Sequence, residues 1–333
     1  MFDRIPQPLL FAAGALALAL PLALLSDYTL FRLTLVATYA LAVLGLNLVM
    51  GFGGQISLGH GAFYAVGAYT TAILVAAYNV PYWATFPAAA AISGALGFLV
   101  GWPALRLAGP YLALVTLALA TAVPQILKHP ALESWTGGVQ GLLLNKPDAP
   151  AGLPLSPDQW LYVVAVLLAA AGFVLVSRLM AGRNGRAIVS VRDHALAAEA
   201  MGVDVAALKT RTFAFGAMLT GLAGSIGALA VEFVSPDSFP PFLSITLFVG
   251  AVVGGAASIF GAIAGAAFIV AVPPLANMVS KSAPGIAYGA MLIICLYALP
   301  AGLAGLFKRR PAPASNPAVP LATAKQGSSK HAA

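Results

Sequence analysis

The chain has 333 residues, of which 60% are hydrophobic and only 8% charged, against about a quarter charged in an ordinary soluble domain. That supply of polar side chains cannot cover a soluble surface. Seventeen basic and ten acidic residues leave a net charge of +7, which in a soluble protein would raise the question of nucleic acid and in an apolar chain reports topology.

A helix needs roughly 20 mostly apolar residues to cross about 30 Å of hydrocarbon. In chain order, the runs that meet this need are 9–25, 30–50, 62–78, 84–105, 111–127, 161–180, 212–231 and 287–307. The first is expected to stay as a span, because Leu24-Leu25-Ser26-Asp27-Tyr28 offers no small-x-small cleavage site. Segment 242–276 is too long for one crossing and is interrupted by Gly254 and Gly255, which predicts two short or broken crossings. The expected fold class is all-α: a polytopic transmembrane helical bundle of about 8–10 spans with broken Gly-rich segments.

Counting these spans places the amino terminus, the loop 181–211 and the carboxyl tail on one side. Thirteen of the seventeen basic residues fall there, and four, Arg32, Lys128, Lys146 and Lys281, fall on the other. Excess Lys and Arg mark the cytoplasmic side, so the expectation is a multi-pass protein of a bacterial inner membrane with both termini cytoplasmic and no nucleic-acid partner. The membrane domain is expected over 1–310. An external loop at 128–160 is rich in Gly and Pro and reads as irregular, folded over the outer mouth. Residues 311–333 have the Pro, Ala and Ser bias of a disordered cytoplasmic tail. Cys295 is the sole cysteine and sits in an apolar run, where it reads as packing.

The loop 181–211 carries five basic residues and three acidic ones, Asp193, Glu199 and Asp204. Asp193 is expected to cap a short helix through "HALAAEAM", and Gly202 to close it in a left-handed conformation. Such a helix has the form of a docking element; the same charges also suit an ordinary inner connector.

The sequence holds no GxxxxGK[ST] loop, no HExxH and no GxSxG, and His60, His129, His194 and His331 are not at metal-ligand spacing. No metal or cofactor is expected, and any ATP hydrolysis is expected in separate subunits. A glycine concentration in "GGQISLGHGAFYAVGAY" surrounds the polar pair Gln55 and Ser57, and a second lies in "VGAVVGGAASIFGAIAGAAF". Two Gly-interrupted segments in opposite halves point to a translocation route in transporters; the same glycines also suit close helix packing. The candidate pathway residues are Gly53, Gly54, Gln55, Ser57, Gly59, His60, Gly254 and Gly255, although a lone imidazole such as His60 also reads as hydrogen-bonded structure. An ion-coupled carrier needs intramembrane charge, and the candidates, Glu232 and Arg32, sit near expected span ends. Asn47, Gln125 and Asn277 are neutral, so coupling energy is expected from outside the chain.

Three segments, in this order and spacing, carry a likeness over about residues 30–307: "GFGGQISLGHGAFYAVGAYT", "NGRAIVSVRDHALAAEAMGVDVAALKTRTFAFGAMLTGLAGSIGAL", and "FVSPDSFPPFLSITLFVGAVVGGAASIFGAIAGAAF" with a "LPAGLAGLF" ending. The chain resembles the LivM-type permeases of branched-chain amino acid ABC importers. The resemblance implies a cytoplasmic coupling helix, with contact to an ATP-binding subunit through Gly185, Arg186, Ala187, Arg192, Ala198 and Gly202. It also implies a second permease of similar fold, two ATP-binding subunits and a periplasmic or external substrate-binding protein. Ser190 stands where the family often has alanine. Importers for urea, short amides or aromatic acids would look much the same, and an autonomous ion-coupled carrier or a purely structural membrane protein remain the other classes.

Overall fold

The computed structural model describes residues 21–22, 24–104, 109–150, 153–279, 289–290, 293–294, 297 and 302–306. Most of the expected runs at 9–25 and 287–307, together with Arg106, Lys281, Cys295 and the tail at 311–333, lies outside the described residues. In chain order the helices are α1 (Asp27–Asn47), continued by a π-helical turn (Leu48–Phe52), then α2 (His60–Tyr78), α3 (Tyr82–Ala104) and α4 (Pro110–Leu127). A four-residue helix α5 (Glu133–Thr136) and strand β1 (Leu142–Leu143) precede α6 (Pro157–Ala181). There follow α7 (Arg183–Asp193), α8 (Ala195–Ala200), α9 (Val205–Val231), strand β2 (Phe233–Val234), α10 (Pro241–Gly254) and α11 (Gly261–Val279).

Two of these helices begin four or more residues before their apolar runs, because side-chain caps and not hydropathy set their first turns. Ser156 and Gln159 form a reciprocal capping box, with Gln159 N donating to Ser156 Oγ and Ser156 N donating to Gln159 Oε1. That satisfies two otherwise unpaired groups and starts α6 at Pro157. Asp204 Oδ1 accepts from Ala207 N at 2.9 Å, so α9 starts at Val205 and takes Lys209 and Arg211 into its first two turns. The connector expected over 181–211 is therefore mostly helical and ends at Asp204.

Helix α9 packs against α1, α2 and α3, while α1 also meets α6, α10 and α11. The core they share includes Leu41, Leu44, Tyr64, Ala68, Leu219, Ile226 and Leu229. Lipid is as apolar as leucine, so helix association in a bilayer relies on close packing. A Cβ on Gly67 would collide with the backbone carbonyl of Gly221, which leaves glycine as the residue that permits this α2–α9 approach. Helices α10 and α11 pair with Gly250 facing Gly265 and Gly254 facing Gly261. That register is antiparallel, so segment 242–276 folds as two helices side by side, the first of 14 residues and thus about 21 Å long.

Among the described residues, seven apolar helical segments are long enough to cross a bilayer, and Gly261–Ala276 is a shorter apolar helix. The protein is an all-α, multi-pass membrane bundle. Helix α6, with 25 residues and so about 37 Å of length, carries the chain between the two ends. One end holds α7 and α8; the other holds the ribbon β1–β2, which pairs Leu142 with Val234 and Leu143 with Phe233 antiparallel. Of the loop at 128–160, expected to be irregular, Leu142 and Leu143 are held by that ribbon.

Candidate functional site

The first Gly-rich segment breaks the helical ladder where the chain turns between α1 and α2. Gly53 N donates to Leu48 O at 3.0 Å and Gln55 N to Val49 O at 3.1 Å, so the last turn is wider than an α-helix, a feature frequent at functional sites. Regular helix resumes only at His60. Unpaired amides cost several kcal/mol in hydrocarbon, and side chains from other spans take them up. Leu58 N donates to Thr116 Oγ1 of α4 at 2.9 Å, and Gly61 N to Ser244 Oγ of α10 at 2.9 Å. Within the segment, Ser57 Oγ bonds His60 Nδ1 at 3.1 Å and accepts weakly from Gly59 N at 3.4 Å.

Gln55, Ser57 and His60 are all buried. The His60 ring meets the edges of Phe63 and Phe213, each at 5.8 Å between centroids. Gln55 Oε1 and His60 Nε2 are buried with no hydrogen-bond partner, which places two unused polar atoms in the broken segment.

Gly254 and Gly255 come to the same end of the bundle, at the α10–α11 turn. The residue that joins the two Gly-rich segments is Asn47, the last of α1. Its Nδ2 donates to Ser258 O at 2.8 Å and its Oδ1 accepts from Ala257 N at 2.9 Å. Gly51 packs directly on Ala257, where any Cβ would collide with the backbone. Sequence reasoning noted Asn47 only as neutral; a fully buried carboxamide in a 21-residue apolar helix was the signal, since buried polar groups find partners.

The α7 end carries the six residues expected to couple. Arg186 is exposed and Ala187 half-buried; Gly185 is buried against the Met180 backbone, and Ala198 is buried under α8. Gly202 closes α8 at φ +84°, with Gly202 N bonded to Glu199 O and Val203 N to Ala198 O. Asp193 does not cap α8: α7 runs through Asp193 itself, leaving His194 as an N-cap without a side-chain bond. The Asp193 carboxylate is instead held by Arg192 Nε at 2.9 Å. Arg192 also turns inward, its Nη1 donating to Gly51 O at 3.1 Å. Two large apolar side chains at this end that sequence reasoning passed over, Leu196 and Met201, are 84% and 85% exposed.

At the ribbon end, Lys146 bridges Asp158 at 3.0 Å and Glu232 at 3.6 Å, and its amide donates to Glu232 Oε1. Lys128 pairs with Asp237 at 2.6 Å. Glu232 lies just past α9 in a left-handed conformation, and Arg32, near the start of α1, donates to Val270 O at 3.3 Å. Among the described residues, no acidic side chain lies beyond the terminal turns of a spanning helix.

Comparison with known proteins agrees with this architecture. Residues 28–298 match the family described as branched-chain amino acid transport system / permease component. The chain is 34% identical over 284 residues to the high-affinity branched-chain amino acid transport system permease protein LivM of Escherichia coli K12, covering 78% of this chain and 66% of that one. It is also 34% identical over 260 residues to the LivM protein of Salmonella typhimurium, covering 71% and 61%. The matched part thus spans just under two thirds of these two relatives. The LivH permease protein of Salmonella typhimurium is 26% identical over 293 residues, covering 82% of this chain and 92% of the relative. No solved structure matches. With one family matched across most of its spans, the chain belongs to the permease components of branched-chain amino acid transport systems.

Proposed function

We propose that the chain is the membrane-spanning subunit of an ATP-driven importer that carries branched-chain or other hydrophobic amino acids across a bacterial inner membrane. Its partners are a second permease of similar fold, two ATP-binding subunits docked at the α7 end, and a substrate-binding protein on the opposite face. The observation that carries this reading is α8, a closed helix that holds Leu196 and Met201 out in solvent at one end of a membrane bundle. Large apolar side chains kept exposed beside polar neighbours mark interaction sites. Positive charge favours a cytoplasmic α7 end, since Arg178, Arg183, Arg186, Arg192, Lys209 and Arg211 gather there against Arg32, Lys128 and Lys146 at the other. Coupling energy comes from outside the chain, in keeping with spanning helices whose acids lie only at their ends.

On this reading Gly53, Gly54, Gln55, Ser57, Gly59 and His60, with Gly254 and Gly255, shape the route. A largely apolar lining suits leucine, isoleucine or valine and leaves selectivity to the binding protein. The test is purification of the tagged chain from its native membrane in mild detergent, followed by reconstitution and uptake of labelled leucine. ATP-binding subunits in the complex and ATP-dependent uptake are the expected result. Recovery of the chain alone, with uptake driven by an ion gradient, overturns it.

A further inference from the structure

Resting on that importer reading, we infer that Arg192 is a positioning residue: it links the α7–α8 region to the broken Gly-rich segment inside the same subunit, and does not serve as a contact to the ATP-binding subunit. An arginine at the end of an exposed basic helix would ordinarily reach outward to an acidic partner. This one reaches in. Its guanidinium is fixed from two sides, by the Asp193 carboxylate at 2.9 Å and by the Gly51 carbonyl at 3.1 Å, although the residue as a whole stays exposed to solvent. The bond to Asp193 is exposed and contributes little by itself; the partly buried, charge-assisted bond to the Gly51 carbonyl is the one that ties α7 to the broken segment.

The partner carbonyl belongs to a residue in the π-helical turn Leu48–Phe52, where the chain departs from the regular α-helical ladder. The site is built around the arginine. Gly54 has φ +67°, and a Cβ there would lie 2.6 Å from Arg192 Cγ, so the segment folds over the arginine's stem only because residue 54 has no side chain. Gly51 in turn touches Ala257 on its other face, and Asn47, one turn earlier, bonds Ala257 and Ser258. Arg192, Gly51, Asn47 and the α10–α11 turn therefore form one contiguous set of contacts. A shift of α7 moves the Gly51 carbonyl and, through it, the turn that separates α10 from α11. Energetic coupling between sites requires such a connected element with two arrangements; here its two ends are the docking region and the segment proposed to shape the route.

The experiment uses the complete complex and three variants: Arg192→Ala, Arg192→Lys and Asp193→Ala. The readouts are the ratio of ATP-binding subunits to permease, and leucine transported per ATP hydrolysed in proteoliposomes. Arg192→Ala is expected to keep its complement of ATP-binding subunits and to lose about tenfold in leucine per ATP. Arg192→Lys, which can still donate to Gly51 O, should recover much of that loss, and Asp193→Ala, which only frees the guanidinium, should lose less. Loss of ATP-binding subunits from Arg192→Ala with unchanged coupling in the subunits that remain makes Arg192 a docking contact and overturns the inference. Unchanged leucine per ATP in all three variants overturns it equally. Should Arg192→Ala fail to fold, Asp193→Ala and the lysine variant decide alone. Failure of the importer reading itself is separate: the wild-type chain would then carry no ATP-binding subunits.

Discussion

Asn47 and Ala257 are held together by a 2.9 Å hydrogen bond between a carboxamide at the end of α1 and a backbone amide in the α10–α11 turn. The turn residue has φ +56°, an unfavourable conformation for alanine that surrounding contacts must maintain. Asn47 also accounts for the Ser258 carbonyl, so one buried side chain satisfies both polarities of a partly buried turn.

Replacing Asn47 by alanine leaves the partly buried Ala257 amide without its partner, and a cost of about 1 kcal/mol is expected, the low end for an unpaired group. A lower midpoint of thermal unfolding in detergent is the expected outcome, with loss of protection from hydrogen exchange confined first to 255–260. An unchanged midpoint would show that the turn is held by packing alone.

Close helix contact makes a sharper prediction. Gly67→Ala forces a methyl into the Gly221 backbone, and because neither partner is the flexible end of a side chain, α2 and α9 must separate. A destabilisation of about 3 kcal/mol is expected from overpacking of this severity. Gly94→Ala is the milder comparison: its Cβ would meet Met218 Cβ at 3.3 Å, a tight contact that a shift of a few tenths of an ångström relieves, and its effect should fall well below that of Gly67→Ala. Equal unfolding midpoints for the two variants would contradict the packing argument.

The spans between residues 27 and 254 were legible as long apolar runs in the right order, because such runs have nowhere else to go. Span ends were less so. Helices α6 and α9 begin at Pro157 and Val205 because Ser156 and Asp204 cap them, and a cap is a local hydrogen bond that hydropathy does not see. The two glycine clusters were visible as clusters, but their meeting through Asn47 spans more than two hundred residues of chain, a separation at which no local pattern informs. At the α7 end, the sequence marked charge and small residues as the coupling surface. The fold buries Gly185 and Ala198 and leaves Leu196 and Met201 outside, since the periodicity of so short a helix does not fix which face it buries.

Those two side chains supply a test of docking. Leu196→Glu combined with Met201→Glu alters no described hydrogen bond of the membrane bundle, so the chain should still insert and purify. Burial of each Leu or Met in a partner contributes about 1.5–3 kcal/mol, so the pair should reduce copurified ATP-binding subunits by roughly tenfold or more. Undiminished recovery would move the docking surface elsewhere on the α7 end, to Arg183 and Arg186 first.

At the opposite end, Lys146 links Asp158 and Glu232 with side chains that are partly exposed. Such pairs contribute about 1 kcal/mol or less and weaken with salt. Lys146→Met should leave global stability nearly unchanged while raising amide exchange over 142–146, where the ribbon and the Glu232 side chain hold the segment. High salt should reproduce that change in the wild-type protein. Equal exchange in both proteins would assign the ordering of this segment to the ribbon alone.

The broken segment itself rests on two hydroxyls from different spans, Thr116 and Ser244, which accept from Leu58 N and Gly61 N. Thr116→Val keeps the shape of the side chain and removes the acceptor; Ser244→Ala does nearly the same. Each should cost about 1–3 kcal/mol. Because both amides belong to one short stretch of backbone, the double variant should fall short of the sum: once the first bond is lost and the segment has shifted, the second has less left to hold. Unfolding midpoints of the two single variants and the double measure this directly. Strict additivity would mean that the segment behaves as two independent anchors, and a rearrangement that moves it as a unit would then lose its structural basis.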